Sequence, residues 1–146
     1  MMNEKNCSNL CQYLPLIGRV LLGLIFVIAG FGKLSNPAGT VGYMTAYGIP
    51  FADLLVWPTG LLELGGGILL MIGWHARWAA TALALFTVAA TFIFHAFWNV
   101  GADQMQMQQI MFLKNLAIIG GLLYVVAYGS GMCSLGKGCK PVEPGA

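Results

Sequence analysis

Charge is scarce in this chain: seven Lys or Arg and five Asp or Glu among 146 residues, 8% in all. A soluble domain carries about 25%, so a water-solvated globular surface is excluded. A net charge of +2 with no basic cluster gives no footing for a nucleic-acid partner. CxxC pairs are missing too, since Cys7 and Cys11 are spaced CxxxC, and Cys133 and Cys139 CxxxxxC. No haem, flavin or dinucleotide fingerprint is present. The GLLELGGG stretch at 60–67 lies inside an apolar run and lacks the strand–turn–helix setting of a phosphate loop.

What fills the chain is apolar, 58% of it. Four runs, 14–31, 54–74, 78–98 and 110–128, each approach the roughly 20 residues that cross a hydrocarbon core about 30 Å thick. They predict an all-α integral-membrane four-helix bundle over 14–128, with an N-terminal tail at 1–13 and a C-terminal tail at 129–146. The first run exceeds the 7–15 apolar residues of a signal peptide and follows Glu4 as well as Lys5, so it reads as a retained helix. Lys5, Arg77, Lys137 and Lys140 fall on one side and only Lys33 on the other, which predicts both termini in the cytoplasm.

The link at 75–77 is short enough to make spans two and three an antiparallel hairpin. In the 32–53 loop, Tyr43 and Tyr47 sit four residues apart, which suggests a short amphipathic helix near 40–47, either an interfacial aromatic anchor or a lid. Residues 99–109 read as a polar loop. Met105, Met107 and Met111 beside it have no His or Cys neighbour, so they read as gap-fillers rather than Cu(I) ligands. The glycine-rich tail beyond Tyr128 reads as mobile.

Against this background the polar residues inside the runs stand out: Arg19, Glu63, Lys114 and, in the third run, His95. A charge at the bilayer centre costs about 3 kcal/mol on insertion scales, and spanning a membrane does not require it. At steps of three or four, Arg19 shares a face with Gly23, Phe26, Gly30 and Lys33, and Glu63 with Gly60, Gly67, Leu70 and Trp74. His95 shares one with Thr87, Thr91 and Trp98, and Lys114 with Ala117, Gly121 and Tyr124. Small residues let helix backbones approach, so these faces should turn inward. Depth along the helices makes a staggered column: His95 and Lys114 near the non-cytoplasmic mouth, Glu63 central, Arg19 below. Arg19 and Lys114 are equal candidates to pair with Glu63. The plain structural alternative is an ion pair that only fixes packing, with Arg19 and Lys114 snorkelling to the interfaces. All four cysteines fall on the cytoplasmic side, where reduced thiols are the expectation. As zinc or iron–sulfur ligands, Cys7, Cys11, Cys133 and Cys139 are weak candidates.

The set of elements resembles the DoxX family, small four-helix membrane proteins. They combine an Arg-bearing first helix ending F-x-x-x-G-x-x-K, an acidic second helix, a third ending in His and Trp, and a fourth opening F-x-K-N and running to Gly-Gly. Here these read Arg19, Phe26–Gly30–Lys33, Glu63, His95 with Trp98, Phe112 to Asn115, and Gly120-Gly121. The resemblance runs from about Ile17 to Tyr128 and leaves the flanking cysteines out. It implies a multi-pass protein of the bacterial inner membrane, related to a subunit of thiosulfate:quinone oxidoreductase, with some members linked to thiol and oxidative-stress systems.

Three functions follow as expectations. In a redox subunit, a quinone headgroup or small sulfur anion would sit near His95, Lys114 and Trp98. Glu63 would accept protons, Lys114 and Arg19 would stabilise negative charge, and Lys33 and Asn115 would complete the binding set. A transporter or proton conductor would use the whole column and need a homo-oligomer to enclose a wet path. A non-catalytic assembly factor would dock a soluble oxidoreductase through its tails. With no cofactor motif in the chain, a quinone is the candidate redox ligand.

Overall fold

The computed structural model describes residues 4–131, 133–135 and 138–139, with side-chain surroundings for 13–131 and 133–135. Five helices follow one another: α1 (Glu4–Ser35), α2 (Pro37–Ala46), α3 (Ala52–Ile72), α4 (Ala76–Phe94) and α5 (Ala102–Tyr128). A single 3-10 turn, Phe97–Asn99, lies between α4 and α5, and two-residue strands β1 (Cys133–Ser134) and β2 (Gly138–Cys139) pair antiparallel behind α5. Among the described residues, four segments are long and apolar enough to cross a membrane: Tyr13–Ser35, Ala52–Ile72, Ala76–Asn99 and Ala102–Tyr128. The molecule is an all-α membrane bundle.

Local chemistry sets the boundaries. Helix α1 continues past Phe31 to Ser35, which brings Lys33 inside a helix; Pro37 then opens α2 at its first turn, where its missing N–H costs nothing. The Asn36 side chain caps α2 by accepting from the Gly39 N–H at 3.2 Å. The 99–109 stretch is not a loop. Helix α5 starts at Ala102 because Gln and Met are good helix formers and Asp103 complements the dipole of the first turn. The α3–α4 turn needs the left-handed region twice, at Gly73 (φ 76°) and His75 (φ 50°).

Helix α1 packs on α3, α3 on α4, and α4 on α5, while α1 and α5 meet only lightly. The α1–α3 contact is the close one. A Cβ added at Gly30 would lie 2.7 Å from the Gly60 carbonyl oxygen and 2.9 Å from Leu64 Cα, and one at Gly67 would lie 2.9 Å from the Gly23 oxygen. Gly23, Gly30, Gly60 and Gly67 thus sit on the interface that their spacing predicts. On α5 the face differs from expectation: Leu122 and Val125 are buried, whereas Lys114 and Tyr124 are exposed. The core joins Phe26, Leu70, Ala80, Leu83, Leu122 and Val125. Leu21, Phe31, Leu61 and Leu85 point outward, which hydrocarbon solvates and water would not.

Every one of the last four carbonyls of α3 finds a donor. The Gly73 N–H serves Leu69, Arg19 Nη1 serves Leu70 (3.1 Å) and Met71 (3.3 Å), and the Leu135 N–H serves Ile72 (2.9 Å). The start of the C-terminal tail therefore docks on the end of α3. Gly129 (φ 80°) and Gly131 (φ 72°) turn the chain back, and the tail supplies one of the four donors that a helix end demands.

Candidate functional site

The α1–α3 glycine contact has a chemical result one turn along each helix. Lys33 follows Gly30, Glu63 follows Gly60, and with the backbones this close the ammonium of Lys33 pairs directly with Oε2 of Glu63. Glu63 is buried, and the Lys33 ammonium also lies 5.0 Å from the centre of the Phe86 ring. The partner of Glu63 is thus neither Arg19 nor Lys114, the two the sequence offered.

This pair forms part of the wall of a cavity of about 290 Å³ bounded by all five helices. Helix α1 contributes Phe26 and Lys33, α2 Tyr43 and Met44, α3 Glu63, α4 Phe86 and Thr87, and α5 Lys114 and Asn115; His95 closes it at the end of α4. Five of the sequence-predicted site residues, Lys33, Glu63, His95, Lys114 and Asn115, come together here. They derive from four different elements, so tertiary packing alone assembles them.

The polar contacts are specific. His95 Nδ1 lies 2.8 Å from Oε1 of Gln108; with that oxygen as acceptor, Nδ1–H donates, which in the neutral ring leaves the lone pair on Nε2. Gln108 Nε2 in turn donates to the Tyr47 hydroxyl at 3.4 Å, tying α5 to the end of α2. Tyr43, Tyr47 and Phe94 stack into a cluster with ring centres 4.9 to 5.3 Å apart. Helix α2 thus places Tyr43 and Met44 in the cavity wall. Lys114 makes a 3.3 Å contact to the thioether of Met111.

Two predicted site residues lie elsewhere. Trp98 packs on Phe92, Phe97 and Phe112 outside the cavity, because the 3-10 turn after His95 breaks the helical register that would have stacked the two. Arg19 is 2% exposed at the opposite end, spent on Leu70, Met71 and the Cys133 carbonyl, and it borders a different cavity of about 570 Å³. The staggered column is thus broken: His95, Glu63 and Lys114 share one chamber and Arg19 does not. Phe86 and, through its bond to His95, Gln108 join the site without having been singled out for it, whereas Tyr43 belongs to the helix read as anchor or lid. For Tyr43 the four-residue spacing from Tyr47 was the available signal; Gln108 was hidden by reading its segment as a loop.

The cysteine expectation also changes. Cys133 is buried and disulfide-bonded, and β1 sets it opposite Cys139. A sulfur in a disulfide offers no thiolate to a metal, and it is not the reduced thiol expected there. The side chains of Cys7, Cys11 and Cys139 lie outside the described residues. Among the described residues no group of three His, Cys, Asp or Glu is placed to hold a metal ion.

Known proteins supply the family. The DoxX family model matches residues 14–96. The inner membrane protein YqjF of Escherichia coli (strain K12) is 36% identical over 124 residues, 84% of this chain and 88% of its own length. YphA, an inner membrane protein of the same organism, is 33% identical over 124 residues, 85% of this chain and 89% of its own. CatD of Bacillus subtilis (strain 168), whose name assigns it provisionally to the oxidoreductases, is 29% identical over 75 residues, 51% of this chain and 54% of its own. No solved structure matches the chain. With a family match over more than half its length and inner-membrane relatives along nearly all of theirs, this four-span chain belongs to the DoxX family and is a multi-pass protein of the bacterial inner membrane.

Proposed function

We propose that the protein is a redox subunit of the membrane whose cavity receives the headgroup of a quinone and whose electron donor is a dithiol. The reading rests above all on one observation: Glu63, His95, Lys114 and Asn115 line a single chamber whose remaining wall is mostly apolar, with Lys33, Tyr43 and three threonines beside them. The oxidoreductase name of CatD supports it. Oxidation of a dithiol to a disulfide releases two electrons and two protons, which is what reduction of a quinone to a quinol consumes.

In this scheme Asn115 and Lys114 donate hydrogen bonds to ring oxygens, and Lys114 stabilises the negative charge that reduction places there. Glu63 and the Nε2 lone pair of His95 relay the protons. Lys33 holds Glu63 in place. The chamber fits a ring: apolar walls from Phe26, Phe86, Phe94 and Ile118 face a short polar strip. By the charge balance of the connections, the termini face the cytoplasm and α2 lies on the other side.

Purified protein in lipid nanodiscs, supplied with dithiothreitol and a short-chain ubiquinone, is expected to reduce the quinone. Glu63→Gln is expected to lower the rate about 100-fold, within the usual range for removing a proton-transfer group. Wild-type turnover in that variant would remove Glu63 from the mechanism, and no turnover by the wild-type protein would sink the redox reading.

A further inference from the structure

The charges around the cavity do not cancel. Glu63 and Lys33 neutralise each other, and the Nδ1–H of His95 is given to a neutral carboxamide. Glu63 is the only carboxylate in the cavity wall. Lys114 is left over. Its one hydrogen-bond contact is the Met111 thioether, a weak and uncharged acceptor, and among the described residues it has no acidic partner. Lys114 lies in the span Ala102–Tyr128, where an uncompensated charge carries an insertion cost of about 3 kcal/mol. A chamber with one surplus positive charge, inside hydrocarbon, is completed by one negative charge.

The walls say what carries that charge. A small, strongly hydrated dianion would trade a full water shell for the few hydroxyl and amide groups of a mostly apolar wall and would meet only half the charge it needs. A monoanionic head on an apolar body gives up the hydration of one charge, which Lys114 can answer, while its body gains by leaving water. The way in points the same direction: Lys114 on α5 and Ile25 on α1 both border the cavity and are both exposed, and their helices meet only lightly. Within spanning helices, that rim faces lipid.

From the charge count and the open rim we infer that the cavity takes an amphiphilic monoanion from the bilayer, its head on Lys114 and Asn115 and its apolar body against Phe26 and Ile118. This rests on the chamber being the ligand site, as proposed above, and not on electron transfer occurring there. It selects between the two ligands the sequence left open: a ring headgroup carrying a single negative charge meets the description, whereas a dianionic sulfur oxyanion does not.

Three probes with one tail separate charge from hydrophobicity: dodecanesulfonate, dodecan-1-ol and, at pH 9, the dianion of dodecylphosphonate. Binding is read by native mass spectrometry in phosphatidylcholine nanodiscs, with empty nanodiscs as the reference for lipid partitioning. Dodecanesulfonate is expected to bind about tenfold or more tightly than dodecan-1-ol, with the phosphonate dianion weaker than the sulfonate. Lys114→Gln is expected to erase the difference and Lys114→Arg to retain it. Equal binding of alcohol and sulfonate by the wild-type protein would overturn the inference whatever the variants do, as would a sulfonate preference that survives Lys114→Gln. The quinone assay separates the two readings. Sulfonate preference without turnover leaves this inference standing and the redox scheme fallen; turnover without the preference does the reverse.

Discussion

Replacing Arg19 with methionine is expected to destabilise the protein by about 3–5 kcal/mol, because three backbone carbonyls lose their donor at a cost of about 1–3 kcal/mol for each one left buried and unsatisfied. The side chain is 2% exposed, and its guanidinium serves the carbonyls of Leu70, Met71 and Cys133 from three directions. Methionine fills much of the volume and none of the acceptors. Two of the four terminal carbonyls of α3 then have no donor, and the negative end of its dipole loses a cation. Lysine keeps the charge, but a single ammonium cannot reproduce the planar fork, so Arg19→Lys should fall between the two. Unfolding by steric trapping in bicelles measures this directly. A loss below about 1 kcal/mol for Arg19→Met would mean that the three bonds are worth no more than one ordinary hydrogen bond.

Gly30→Ala should be comparably damaging for a different reason. The added methyl would press on the Gly60 carbonyl and Leu64 Cα, both backbone, so no side chain can swing aside. Overpacking usually costs about 1–3 kcal/mol, and here the relief available is to push α1 off α3. Lys33 and Glu63 pair through that same contact, so the variant should lose quinone turnover together with stability. Gly32, two residues on, has open space where its Cβ would be. Gly32→Ala should be neutral or stabilising by up to about 1 kcal/mol through helix propensity. Thermal unfolding of the two variants side by side decides the matter: equal midpoints would show that the α1–α3 contact is looser than its geometry.

Much of this architecture can be read from composition and spacing, and what cannot has a physical cause. The four spans are legible because hydropathy acts residue by residue. The glycine faces of α1 and α3 are legible because their period is helical. Pairing is different. Which residue of α1 faces Glu63 depends on the relative slide of two helices, and that slide is set by Gly30 meeting Gly60 and Leu64, a fact of neither helix alone. Arg19 looked like a counter-ion because its acceptors are backbone carbonyls, which every residue has and no sequence pattern marks. The His95–Gln108–Tyr47 chain was hidden behind a polar, Gln-rich stretch that reads as loop by composition and folds as the first turns of α5. Tail docking escaped notice for a similar reason: glycines that suggest mobility also allow the tight reversal that brings Leu135 to Ile72.

The reach of Arg19 also imposes a timetable on biosynthesis. Its first acceptors lie 51 and 52 residues downstream, and the third lies 114 residues downstream. At synthesis rates of about 5–20 residues per second, α3 trails Arg19 by about 3–10 s and the Cys133 carbonyl by about 6–23 s. For that interval α1 waits in or beside the translocon with a bare guanidinium. The nascent protein is then at its most vulnerable to membrane quality control, and a ribosome stall between Arg19 and Leu70 would lengthen the wait. Chain termination before Leu70 would never end it, and termination before Cys133 would leave the third bond unmade.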